Sequence, residues 1–143
     1  MNGARGRPNG NDAGMILYLA ADLIWASKIK GTADALGLPC RPVRTVEMLE
    51  ARLADSEVSA VLLDLDAPEA ALEMLARLRG TGATEAQRRI RVLAWGPHVA
   101  KELLQKARDA GASDVLTRGA FDGSMEEILL GLAGRSRGGS PPA

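Results

Sequence analysis

The apolar stretch that ends in Asp64, within VLLDLDAP at residues 61–68, is where this sequence first offers chemistry. An apolar run that breaks into a charged residue, with Pro68 four positions later, is how a buried strand leaves into a loop. A carboxylate at such a place has three readings. It is a reactive group held at a pocket, a cap or turn residue, or what remains of a site whose other parts are gone. Arg118 follows another predicted strand, SDVLT, and so falls at the same end of the molecule. Asp66 can bind a cation or make a turn. His98 is the only histidine and has no partner ligands at metal-binding spacing. The single Cys40 excludes an internal disulfide framework and a cysteine metal cluster. Gly80, Gly82, Gly96 and Gly111 do not form a dinucleotide or phosphate-loop pattern. With no Ser-His-Asp set and no Cys-His pair either, the residues do not point to an enzyme.

Something must hold Asp64 and Arg118 in place, and hydropathy patterning predicts what. The run MILYLA (15–20) reads as a strand. DLIWASKIKGTADALG (22–37) has helical spacing, with Trp25, Ile29, Ala33 and Leu36 on one face. Asp22 stands at the N-cap and Gly37 at the C-cap. A weak strand (40–46), a helix (45–56) and the continuously apolar strand 58–65 follow. Next come a helix (68–80), a polar loop (81–89), a strand (90–95), a helix opened by Pro97 (97–111), a strand (113–117) and a last helix (122–134). Gly31 inside the first helix costs about 1 kcal/mol against Ala, and close helix packing would explain it. Five strand–helix units in strict alternation predict a doubly wound α/β fold: a five-stranded parallel sheet covered by helices on both faces, as in flavodoxin-like three-layer sandwiches. In such sheets the chemistry lies beyond the carboxyl ends of the strands. Asp64, the segment Ala20–Asp22, the segment Trp95–Pro97 and the segment Thr117–Gly119 would all sit there.

Composition bounds the rest. The chain has 143 residues, 46% of them hydrophobic and 25% charged, with eighteen basic residues balancing eighteen acidic ones. One domain over 15–134 is expected, with disordered tails at 1–14 and 135–143. No broad basic footprint marks a nucleic-acid binder, and aromatic residues for base stacking are scarce. No run is long enough to span a membrane, and the polar N-terminus lacks a signal-peptide core. A cytoplasmic protein is expected.

The sequence resembles the receiver domain of bacterial response regulators, the CheY-like fold of two-component systems. The resemblance spans nearly all of 15–134 and is carried by VLLDLDAP, VLAWGPH and GASDVLTRGAF. It implies that Asp64 is the phosphoacceptor equivalent. It also implies that four other chemical positions have been lost or changed. The acid pair that helps hold magnesium becomes Ala20 and Ala21, with Asp22 one position late. The hydroxyl becomes Gly96, and the lysine becomes Arg118. The aromatic that switches with the hydroxyl becomes Val115. Phosphoryl transfer leans on metal ions and positioned charge, and magnesium asks for about six oxygens. Weak magnesium binding at best is therefore expected, and no other cofactor. Arg118 keeps a phosphate-binding cation, but it can equally pair permanently with Asp64.

These residues read as a stand-alone pseudo-receiver that signals by protein–protein contact, its partner a kinase, another regulator or a second copy of itself. Leu104 and Leu130 lie at or beyond the margins of their helical stripes. As exposed residues they would mark a homodimer face made by the fourth predicted helix, the fifth strand and the last helix. Two alternatives stand beside this reading. One is a working phosphorelay regulator that uses Asp64. The other is a flavodoxin-like domain that takes a small anionic ligand or nucleotide at Arg118, Gly96 and the helix start at Pro97.

Overall fold

The computed structural model describes residues 14–134. Residues 1–13 and 135–143, for which the sequence predicts disorder, lie outside the described residues. Five parallel strands form one sheet: β1 (Met15–Leu19), β2 (Cys40–Pro42), β3 (Val58–Asp64), β4 (Arg91–Gly96) and β5 (Asp114–Thr117), in the order β2-β1-β3-β4-β5. The helices are α1 (Leu23–Ala35), α2 (Val46–Asp55), α3 (Pro68–Arg79), α4 (Glu85–Arg88), α5 (Lys101–Asp109), α6 (Arg118–Gly123) and α7 (Met125–Leu132). This is the doubly wound α/β sandwich that the alternating pattern predicts.

Each central strand feeds two cores, because successive side chains point to opposite faces. Ile16, Tyr18, Ala60, Leu62, Leu93 and Trp95 pack with Ile29, Phe121 and Leu129 from α1, α6 and α7. Their neighbours Leu17, Leu19, Val61, Leu63, Val92 and Ala94 pack with Leu49, Leu75 and Ala107 from α2, α3 and α5. A strand buried on both faces cannot carry polar residues in alternation, which is why 60–63 reads as an unbroken apolar run.

The structure corrects several boundaries. The helix expected from Pro97 begins at Lys101; residues before it form a turn closed by the Ala100 N–H on the Pro97 carbonyl at 2.9 Å. The polar loop 81–89 contains α4. Its capping box pairs Thr84 with Gln87: Thr84 Oγ1 accepts the Gln87 N–H, and Gln87 Oε1 accepts the Thr84 N–H. The last helix is two helices. Thr117 caps the added one, α6, by accepting the Ala120 N–H at 3.3 Å, while Gly119 and Gly123 hide it from propensity reasoning.

The two leucines expected at an interface are buried: Leu104 is 6% exposed and Leu130 8%. Leu104 lies against the end of β4, within 3.6 Å of where a Gly96 Cβ would be. Leu130 gains cover because α7 packs sideways against α1 and α6. The large apolar residues that are exposed are instead Leu23 (80%), Ile24 (73%), Val99 (73%) and, less so, Met48.

A side-chain carbon added at Gly31 would meet nothing within 4 Å, so close packing does not account for this glycine. It sits in a helix interior with ordinary backbone and open space beside it. Gly31→Ala is therefore expected to stabilise the fold by about 1 kcal/mol, read as a higher urea midpoint at unchanged m-value.

Candidate functional site

Asp64 is the last residue of β3 and is 0% exposed; among the described residues it is the one buried charged side chain. Both of its oxygens are engaged by backbone. Oδ2 accepts the N–H of Ala21 at 2.9 Å, and Oδ1 accepts the N–H of Asp66 at 3.0 Å. The first bond ties in the β1–α1 loop and the second folds the β3–α3 loop around the carboxylate. A third contact, the Leu65 N–H on the Trp95 carbonyl at 2.8 Å, holds the same loop to the end of β4. Burial pushes the Asp64 carboxyl above its ordinary value, and the charge of Asp22 adds to this. The Ala21 N–H and the charge of Arg118 pull the other way.

Arg118 does not pair with Asp64. Its Nη2 donates to Asp66 Oδ2, joining the β3–α3 loop to the start of α6. The physical reason lies in depth. Asp66 and Arg118 are each roughly two-fifths exposed, so the guanidinium reaches a carboxylate at the rim and stays partly hydrated, although its Nε is buried without a partner. Pairing with fully buried Asp64 would strip water from both charges. Arg118 is also the first residue of α6, where the helix end carries partial positive charge, and the Asp66 carboxylate offsets that repulsion.

The other predicted positions fall around this node. Ala20 and Ala21 follow β1 and bring no side-chain oxygen. Asp22 caps α1, its Oδ1 accepting the Trp25 N–H at 2.9 Å. Gly96 is buried at the end of β4, where an added Cβ would lie 3.3 Å from the Leu65 Cβ, so a hydroxyl-bearing side chain would be crowded there. Val115 faces the α5 side of the sheet and packs in that core. The aromatic beside Asp64 is Trp95, its register partner on β4. Its ring points to the opposite side, with centroids 4.6 Å from Phe121 and 5.5 Å from Trp25. Sequence patterning places Trp95 next to Asp64 but carries no signal for this three-ring cluster, which joins α1, β4 and α6. His98 is exposed, and Cys40 is buried with its thiol pushed up to about 12, mainly by burial.

The donor set does not fit magnesium. Two Ala stand where acids are needed, both Asp64 oxygens already accept N–H bonds, and no group of three or more His, Cys, Asp or Glu able to hold a metal exists among the described residues. The anion site expected at Arg118, Gly96 and Pro97 is not assembled either. Arg118 is engaged by Asp66, and α5 starts four residues beyond Pro97.

Two outcomes follow from this geometry. A carboxyl whose folded pKa is raised favours the folded state when protonated. Its contribution is full below the ordinary value of 3.8 and is lost as pH rises through the folded value. Stability of the wild type minus that of Asp64→Asn is therefore expected to fall as pH rises above the ordinary carboxyl value of 3.8, measured by urea unfolding from acid to neutral pH. Asp66→Asn, by contrast, should cost less than about 1 kcal/mol in the same assay, because its ion pair is partly solvated.

No protein-family profile matches the chain, and no curated protein does. Solved structures do. The receiver domain of a signal transduction histidine kinase from Syntrophus aciditrophicus superposes with a TM-score of 0.70 at 18% identity, covering 92% of this chain and 100% of that one. A chemotaxis response regulator of Vibrio cholerae gives 0.68 at 12% identity, with 85% and 99% covered. The receiver domain of a sensor histidine kinase from Pseudomonas aeruginosa, solved with magnesium in its active-site cleft, gives 0.65 at 17% identity, with 86% and 99% covered. Among the described residues no helix is long and apolar enough to cross a membrane. With its strand order, its buried Asp at the end of β3 and these likenesses, the chain has the CheY-like fold of response-regulator receiver domains.

Proposed function

We propose that this chain is a pseudo-receiver: a cytoplasmic signalling module that works by contact with a protein partner, without metal-dependent phosphorylation and without catalysis of its own. The observation that carries this reading is the state of the Asp64 carboxylate. Each of its oxygens accepts a backbone N–H, so the group is used to join two loops rather than presented to a ligand. A phosphoryl group added to either oxygen would break one of those bonds in a site with no exposure to water. The alanines at 20 and 21 supply no oxygen to a metal that would offset this, and the loss of a metal's Lewis-acid role costs several kcal/mol in the transition state. At ~1.4 kcal/mol per tenfold, that is orders of magnitude in rate.

Exposed Leu23, Ile24 and Val99 lie on the loops and first helical turn at the strand carboxyl ends, which supports output by contact at that end. The partner is a signalling protein or a second copy of the chain. One observation favours the phosphoacceptor alternative: the positive charge of Arg118, at the start of α6, acts on Asp64.

Trp95 provides the test, since it is the register partner of Asp64 and lies wholly in the core. Titration with magnesium and then beryllofluoride, followed by tryptophan fluorescence, should give no saturable change at millimolar magnesium. A saturable change in the wild type that Asp64→Asn abolishes would instead make Asp64 a working phosphoacceptor.

A further inference from the structure

A pocket of about 200 Å³ opens beside the β1–α1 loop, between the first turn of α1 and the segment that follows β2. Its floor includes Ala20, Ala26 and Val43, and its polar wall is made by Tyr18, Asp22 and Arg44. The small side chain at Ala20 leaves this space open. Its size is between the ~150 Å³ that holds a benzene ring and the ~300 Å³ at which drug-sized sites begin. One aromatic or branched aliphatic group with a small polar head would fill it.

The polar groups around it keep hydrogen-bonding capacity. Tyr18 is 5% exposed as a residue, and its hydroxyl, which is not one of the buried atoms left without a partner, makes no hydrogen bond to another described residue. Burial raises its pKa, so it stays a protonated donor. Arg44 lines the same pocket, and its charge acts on the Tyr18 hydroxyl after that of Lys30. Arg44 has no ion pair among the described residues, and Asp22 spends only Oδ1, on the cap of α1. Opposite charges therefore line one pocket without pairing with each other. Leu23, four-fifths exposed, stands at its edge as an apolar surface with no cover.

We propose that this pocket binds a small zwitterion with an apolar side chain, a free amino acid of the aromatic or branched aliphatic class. Arg44 and the Tyr18 hydroxyl take the carboxylate, and the free oxygen of Asp22 takes the ammonium. The side chain lies on Ala20, Ala26 and Val43 beneath Leu23. The proposal is independent of whether Asp64 accepts a phosphoryl group. It has a route to that node, because the Ala21 N–H that holds Asp64 belongs to the loop forming the pocket.

Isothermal titration of the full chain with L-phenylalanine and with L-leucine tests it. Saturable binding with Kd of about 1 mM or tighter is expected for at least one of them. The amide and the N-acetyl derivative, each lacking one charge, should bind about tenfold more weakly, as should the free amino acid to Tyr18→Phe, Arg44→Ala and Asp22→Asn. Tyr18→Phe removes only an oxygen that has no partner, and Asn caps a helix as well as Asp does, so these variants keep the fold; thermal unfolding checks this. No binding of either amino acid up to its solubility limit overturns the proposal. So does equal binding of the two derivatives and the parent amino acid, or binding that is indifferent to all three folded variants.

Discussion

A single buried carboxylate organises the end of this molecule where the strands stop. Placing Asp64 in a core without exposure to water is costly, and the chain offsets the cost by bringing two backbone N–H groups to it. The loops after β1 and β3 take their conformations from those bonds. Asp66, turned back by its own N–H on Asp64, then faces Arg118 at the start of α6. The order of dependence runs from the buried acid to the loops, and from the loops to the ion pair at the rim.

This arrangement changes what a familiar geometry means chemically. An acid at the end of the third strand of a receiver fold is a natural place for a phosphoryl group. Here each oxygen of the acid accepts a backbone N–H, its neighbours at 20 and 21 are alanines, and Gly96 sits too close to Leu65 to carry a hydroxyl side chain without crowding. The aromatic side chain next to the acid belongs to β4 rather than β5, and it points into the α1–α6–α7 core. Any movement of the loops around Asp64 would be felt by Trp95, Trp25 and Phe121. It would reach the face made by α1 and α6, not the side where Val115 packs.

The alanines that supply no metal ligand also leave the space that defines the pocket beside Tyr18. The absence of carboxylates at 20 and 21 and the opening of a small cavity thus have one structural origin, the small side chains after β1. The exposed apolar residues cluster near this same end, at the first turn of α1 and in the turn after β4. The pocket and these exposed apolar residues lie at the carboxyl ends of the strands, where the topology of a doubly wound sheet favours binding.

The amino-acid sequence by itself determined the strict strand–helix alternation, the apolar run within β3, the cap at Asp22, and the place of Asp64 at the end of its strand. These features are local: period, propensity and capping act over a few residues and can be read along the chain. Even some missed elements were of this kind, since the Thr84–Gln87 capping box is written in T-E-A-Q. Other features belonged to tertiary structure alone. Arg118 chose Asp66 over Asp64 because the depth of each carboxylate is set by the packing of strands far apart in sequence. Leu104 and Leu130 are buried because β4 and a neighbouring helix cover flanks that a single helix's periodicity leaves open. The pocket exists because the β1–α1 loop and the segment after β2 meet side by side, a juxtaposition that parallel strand pairing imposes and no local pattern encodes.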